Sequence, residues 1–134
     1  MTRENRVANA RAEIAAAGDA VRVAEAALAI DVRRDAMSRA YYAAFHAARA
    51  LLLLEGAEPK THAGVTRMIG EQLVRAGKMD AKSALLVTRL QAYRQASDYA
   101  YAFAIDLDDA RKELAEVRAF VERAALIVEA AGRA

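Results

Sequence analysis

The chain predicts an all-α fold, an up-and-down bundle of four to five helices, and three observations carry that expectation. Apolar residues recur at steps of three and four over long stretches, no segment alternates with period two, and a single proline interrupts 134 residues. One domain spanning residues 1–134 is expected at this length, which is enough to bury about two-thirds of the surface of the unfolded chain. No internal repeat, low-complexity tract or linker divides it.

The first helix runs from about Arg3 to Ala29, with Val7, Ala10, Ile14, Ala17, Val21, Ala24 and Leu28 forming a seam that keeps phase through Gly18. Asp31 can cap a second helix, whose seam is Met37, Tyr41, Ala44, Ala48 and Leu51; Gly56 and then Pro59 end it. Thr61 is the expected cap of a shorter third helix using Val65, Ile69, Leu73 and Ala76, stopped by Gly77. A fourth starts at Asp80, carries Leu86, Leu90 and Tyr93, and frays near Ala104. The acidic turn Asp106, Asp108 and Asp109 complements the N-terminal dipole of a fifth, with the seam Leu107, Ala110, Leu114, Val117, Val121, Ala124 and Val128. Charges on its outer side, among them Arg111, Lys112, Glu113 and Glu116, are expected to form a solvated face.

Composition narrows the chemistry. Cysteine is absent, which excludes disulfides, thiolate metal sites and thiol nucleophiles and fits a reducing compartment. No apolar run approaches bilayer length and no signal-peptide core is present at the N-terminus, so a soluble, cytoplasmic protein is expected. Residues 31–105 hold eleven Lys and Arg against seven Asp and Glu, whereas residues 106–134 hold five against seven. This modest bias suits anionic ligands but falls short of the basic stripe that double-stranded DNA requires.

Two stretches concentrate the polar chemistry. In Ser38-Arg39-Ala40-Tyr41-Tyr42-Ala43-Ala44-Phe45-His46-Ala47-Ala48-Arg49, helical spacing sets Arg39, Tyr42, His46 and Arg49 on one stripe. In Arg94-Gln95-Ala96-Ser97-Asp98-Tyr99-Ala100-Tyr101, Arg94, Asp98 and Tyr101 share another. Facing stripes would form a cationic, aromatic-lined cleft fit for phosphate. Each residue also has a structural reading: Arg94 and Asp98 can pair with each other, His46 can be a hydrogen-bonded packing residue, His62 can bond around the helix entry at Thr61, and Tyr41, Tyr42 and Tyr93 can be core aromatics. The spacing of a di-iron bundle, phosphate-loop glycines and the zinc-type His-Glu-x-x-His are missing, so no metal or cofactor is expected. A helix-turn-helix around Gly77 is disfavoured, because the flanking helices are long and the second lacks a basic leading edge.

The two stretches resemble the small stand-alone prokaryotic branch of the HEPN domain family. The resemblance extends through Glu58-Pro59-Lys60-Thr61-His62-Ala63-Gly64-Val65 to Phe120-Val121-Glu122, covering about residues 31–130. It implies a homodimer whose Arg-bearing helices meet across a composite cleft, and often a minimal nucleotidyltransferase partner in a toxin and antitoxin pair. It also implies that the HEPN subunit cuts RNA or binds nucleotide. Alanines Ala43, Ala44, Ala47 and Ala48 would permit close packing on more than one face of the second helix, one of them available to a second copy.

The family's nuclease motif is Arg followed after four to six residues by His, sometimes with a further Tyr. Arg94 matches the Arg, Tyr99 stands where the nearest His would be, and Tyr101 matches the further Tyr, a position that resembles a site of AMP attachment by the partner. A tyrosine of pKa about 10 is a poor base at neutral pH where histidine, at about 6.5, is suited. Binding of a nucleotide or single-stranded RNA through Arg39, Tyr42, His46, Arg49, Arg94, Asp98, Tyr99 and Tyr101 is therefore the expectation. The alternatives are a metal-independent ribonuclease toxin using Arg94 and His46, and a structural dimerisation module.

Overall fold

The computed structural model describes residues 1–99 and 104–134. The described residues form helices with no strand: α1 Arg3–Ala29, α2 Arg33–Leu54, α3 His62–Met68 continuing into a π-helical segment Ile69–Val74, α4 Ala81–Tyr99 and α5 Leu107–Arg133. Thr2 caps α1 by accepting from the Asn5 N–H, Thr61 caps α3 by accepting from Gly64, Asp80 accepts from Ser83 before α4, and Asp106 caps α5 by accepting from Asp108.

The apolar seams read from the sequence are the ones that pack. Val7, Ala10, Ala17, Val21 and Ala24 of α1 are buried, as are Ala110, Leu114, Val117, Val121, Ala124 and Val128 of α5. Helix α2 lies at the centre: Met37, Tyr41, Ala44, Ala48 and Leu51 are buried against neighbours on several sides. Its small residues let α1, α4 and α5 approach closely, and Ala43, Ala44, Ala47 and Ala48 are all fully covered within one chain. These alanines therefore leave no face for a second copy, and a dimer must use another surface.

Long-range polar contacts set the helix directions. Arg3 donates to the Ala131 and Ala134 carbonyls, Arg11 pairs with Glu129 at 3.2 Å and Arg118 with Glu25 at 2.7 Å, so α1 and α5 run antiparallel. Arg89 of α4 makes two 2.7 Å bonds to Glu113 of α5, and Arg123 donates to Ser83, which fixes α4 antiparallel to α5.

Three local readings are corrected. Asp31 does not cap α2: it adopts φ 58° and pairs with Arg33, while Val32 occupies the cap position. The segment after Met68 widens into π geometry and ends at Val74, so Ile69 and Leu73 are buried while Ala76 falls in the turn beyond the helix and is exposed rather than on the seam. Glu113 does not belong to the solvated face: it is 7% exposed because the α4 guanidinium satisfies both its oxygens.

Candidate functional site

The chain crosses itself at the middle of α2. Tyr41, Tyr42 and Phe45 project from adjacent turns there and meet His62, the first residue of α3. The segment between them explains why His62 arrives at this place. Gly56 takes a positive φ of 81° to end α2, Pro59 is buried, and the Thr61 cap turns the chain into α3. Gly64 is needed beside that cap, because a Cβ there would lie 3.0 Å from Thr61 Oγ1 and 3.6 Å from Pro59 Cβ.

His62 stacks on Phe45 with ring centroids 4.4 Å apart, and its Nδ1 shares a 2.6 Å hydrogen bond with the Tyr41 hydroxyl. One turn further on, the Thr66 hydroxyl lies 3.2 Å from the His62 carbonyl and 3.3 Å from Gln91 Oε1 of α4. Gln91 precedes Arg94 by one turn, so this contact sets α3 and α4 in register where Arg94 enters the cluster. The Arg94 guanidinium carbon lies 5.1 Å from the Tyr42 ring centre and 5.8 Å from that of Tyr41, and Arg39 approaches Tyr42 at 6.0 Å. Both cations gain from the negative ring faces.

Burial and charge tune the two titratable members. Burial pushes the Tyr41 phenol up to about 12, so it stays protonated throughout the physiological range. Burial, then the nearby Arg94 and His46 charges, lower the pKa of His62 from its ordinary value, so the imidazole is neutral at pH 7.

Of the residues singled out by sequence, Arg39, Tyr42 and Arg94 come together. His46 and Arg49 are engaged elsewhere: His46 Nδ1 is 2.6 Å from Glu13 Oε2 of α1, and Arg49 lies 3.6 Å from the other carboxylate oxygen. Glu13 is 33 residues from His46, and no local spacing announces that contact. The side chains of Asp98 and Tyr99, and the whole of Tyr101, lie outside the described residues. His62, read from sequence as a residue of the helix entry, is instead a member of the cluster. The available signals were the cap at Thr61, with Pro59 and Gly64 on either side of it.

No group of acidic or histidine side chains among the described residues could hold a metal ion, and no described helix is long and apolar enough to cross a membrane. A cavity of about 520 Å³ shares no residue with the aromatic cluster. Val7, Leu51, Leu54 and Ile127 line it, and the Glu55–Lys78 ion pair belongs to its wall. Arg3 and Arg6 line it as well, but none of its lining residues is aromatic, whereas the cluster sets its two cations on aromatic faces.

A helical bundle that gathers Arg39, Arg94 and the rings of Tyr41, Tyr42, Phe45 and His62 from α2, α3 and α4 defines an α-helical domain with a cationic, aromatic cluster. The chain belongs to the HEPN domain family, whose model matches residues 10–128. It is 38% identical over 90 residues to "Putative toxin MJ0605" of Methanocaldococcus jannaschii, covering 67% of this chain and 66% of that protein. It is 51% identical over 55 residues to "UPF0332 protein PH1297" of Pyrococcus horikoshii, covering 41% and 39%, and 30% identical over 88 residues to "Putative toxin MJ0142" of Methanocaldococcus jannaschii, covering 66% and 60%. The chain thus spans less than two thirds of the length of each of these relatives.

Proposed function

We propose that this HEPN protein is a toxin-like, cytoplasmic homodimer that binds a nucleotide or single-stranded RNA, and that it works with a minimal nucleotidyltransferase partner. The observation that carries this reading is the position of Arg94 over the Tyr41 and Tyr42 rings, with Arg39 on the same Tyr42 ring. A flexible single strand can place its phosphate against the guanidinium and lay an unstacked base on an exposed aromatic edge. Tyr42 is half-buried and serves that purpose; Tyr41, 1% exposed, supports it from beneath. A duplex offers neither an unstacked base nor a fit to so small a basic patch. The names of two relatives as toxins support the class of biology. The proposal also assigns Asp98, Tyr99 and Tyr101 to the site, together with His46 and Arg49, which contact Glu13 in the free chain.

Fluorescence anisotropy with a labelled single-stranded RNA and a duplex DNA of equal length tests this reading. The RNA should bind more tightly than the duplex. Arg94→Ala and Tyr42→Ala should each weaken RNA binding by about 5- to 100-fold, the range of one lost stacking or charged phosphate contact. Affinity unaltered by both changes would leave the cluster with a packing role only.

A further inference from the structure

We infer that the cavity enclosed by α1, the C-terminal end of α2, the π-helical segment and α5 is a second ligand site, and that it takes a small amphipathic carboxylate, one anionic head on an aliphatic tail. This site shares no residue with the aromatic cluster and stands independently of the RNA-binding reading.

The walls are shaped for the tail. Val7 of α1, Leu51 and Leu54 of α2, Leu73 of the π-helical segment and Ile127 of α5 enclose about 520 Å³, within the range in which proteins hold small ligands. A neighbouring cavity of about 260 Å³ shares Leu51, Lys78 and Ile127 with it and reaches on to Met79 and Phe120, so the space continues from α1 past Ile127. Ile127 is 44% exposed in this wall, and a bound tail would take that side chain out of water. No aromatic ring lines the first cavity, so nothing there stacks a nucleobase or another planar group.

The charge for the head comes from one residue. Arg3, Arg6 and Lys78 line the cavity against a single acid, Glu55. Two of these cations are committed: Lys78 Nζ bonds the two Glu55 oxygens at 2.7 and 2.8 Å, and Arg3 donates to the Ala131 and Ala134 carbonyls at 2.7 and 3.0 Å. Arg6 differs, because it takes part in no ion pair among the described residues and its Nε is buried there without a hydrogen-bond partner. Leaving a buried charged donor unsatisfied is costly, and a ligand anion would meet that need. Gly56 makes the room: at its positive φ of 81° it carries no Cβ, and one placed there would lie 3.3 Å from Arg6 Nη1. One uncompensated cation matches one negative charge, and the planar guanidinium fits a planar carboxylate through paired N–H bonds. A phosphate dianion would leave one charge over, next to Glu55.

The test titrates decanoate, decanol and acetate, each below its micelle or solubility limit, into the purified full chain, with calorimetry and methyl NMR as readouts and Arg6→Gln prepared in parallel. Decanoate should bind with saturation, shift the methyl groups of Val7, Leu54 and Ile127, and leave the Tyr42 ring unmoved. Decanol on the wild-type chain, and decanoate on Arg6→Gln, should each bind about 10- to 100-fold more weakly, the loss of one charged hydrogen-bonded pair. Acetate, which lacks the tail, should show no saturable binding. Decanoate that fails to saturate, that shifts the aromatic cluster instead of the cavity methyls, or that binds Arg6→Gln as tightly as wild type overturns the proposal. Equal affinity for decanoate and decanol overturns it too, since the cavity would then be apolar space without a head-group site. Should Arg6→Gln not fold, salt decides on the wild-type chain: decanoate affinity should fall as sodium chloride rises while decanol affinity does not, and a decanoate affinity indifferent to salt refutes the assignment.

Discussion

Replacing Glu113 by alanine removes the α4 to α5 link that the structure makes most strongly. Glu113 accepts two 2.7 Å bonds from Arg89, and its side chain is 10% exposed. Charged hydrogen bonds of this kind contribute about 1.5–3 kcal/mol, and stranding a fully buried partner costs more. Arg89, however, is 41% exposed and also bonds Glu116 at 3.1 Å, so it rehydrates and keeps one anion when Glu113 is lost. The expected cost is therefore near the low end, about 1.5 kcal/mol, which for a chain of this size lowers Tm by about 5 °C. Glu113→Gln keeps the shape and one acceptor and should lose about half as much. Thermal unfolding followed by circular dichroism measures both. A Tm within 1 °C of wild type for Glu113→Ala would refute the claim that this acid is a buried anchor and return it to the solvated face. Arg94 follows Arg89 by five residues, about 7 Å along the helix, so loosening this anchor should also weaken RNA binding, though less than Arg94→Ala does.

Three further predictions follow, the first from the structure and the other two from the family resemblance. His62 has a folded pKa below its unfolded value of about 6.5, so the unfolded chain takes up the proton first. Its effect on stability is absent above pH 6.5, and stability falls as pH drops from there through the folded pKa. His62→Gln should flatten the Tm profile between pH 7 and 5, and an unchanged slope would contradict the burial of this imidazole. Light scattering at micromolar concentration should give twice the chain mass, and a stable monomer would remove the two-fold assembly. Incubation with ATP, magnesium and the partner nucleotidyltransferase should add one adenylyl mass that Tyr101→Phe abolishes; no gain, or a gain that persists in the variant, would refute that modification.

The sequence disclosed the parts of this molecule that depend on neighbours within a helix. The seams of α1 and α5 keep one phase over seven turns each, and the caps at Thr61 and Asp106 are local hydrogen bonds, so periodicity and residue type suffice for both. The site was half legible for the same reason. Tyr42 and Arg39 share a stripe of α2, but the approach of Arg94 and the arrival of His62 are tertiary events set by the Pro59 to Gly64 turn and the Thr66–Gln91 bond. Two pairings escaped notice because their partners lie far along the chain: His46 with Glu13, and Glu113 with Arg89. Both place a carboxylate on a seam flank, where an amphipathic reading assigns it to solvent. In the middle of the chain, the π-helical segment ends at Val74, two residues before the Ala76 that the three-four spacing was expected to reach.

The most direct test of the central claim observes the cluster itself while RNA is added. In an NMR titration with a short single-stranded RNA, the Arg94 Nε–H, the Tyr42 ring and the His62 ring should shift together and saturate at one affinity. The side chains of the large cavity, Val7, Leu54 and Ile127, should stay unmoved. Shifts confined to the cavity, with Arg94, Tyr42 and His62 unchanged, would contradict the assignment of this cluster as the RNA site.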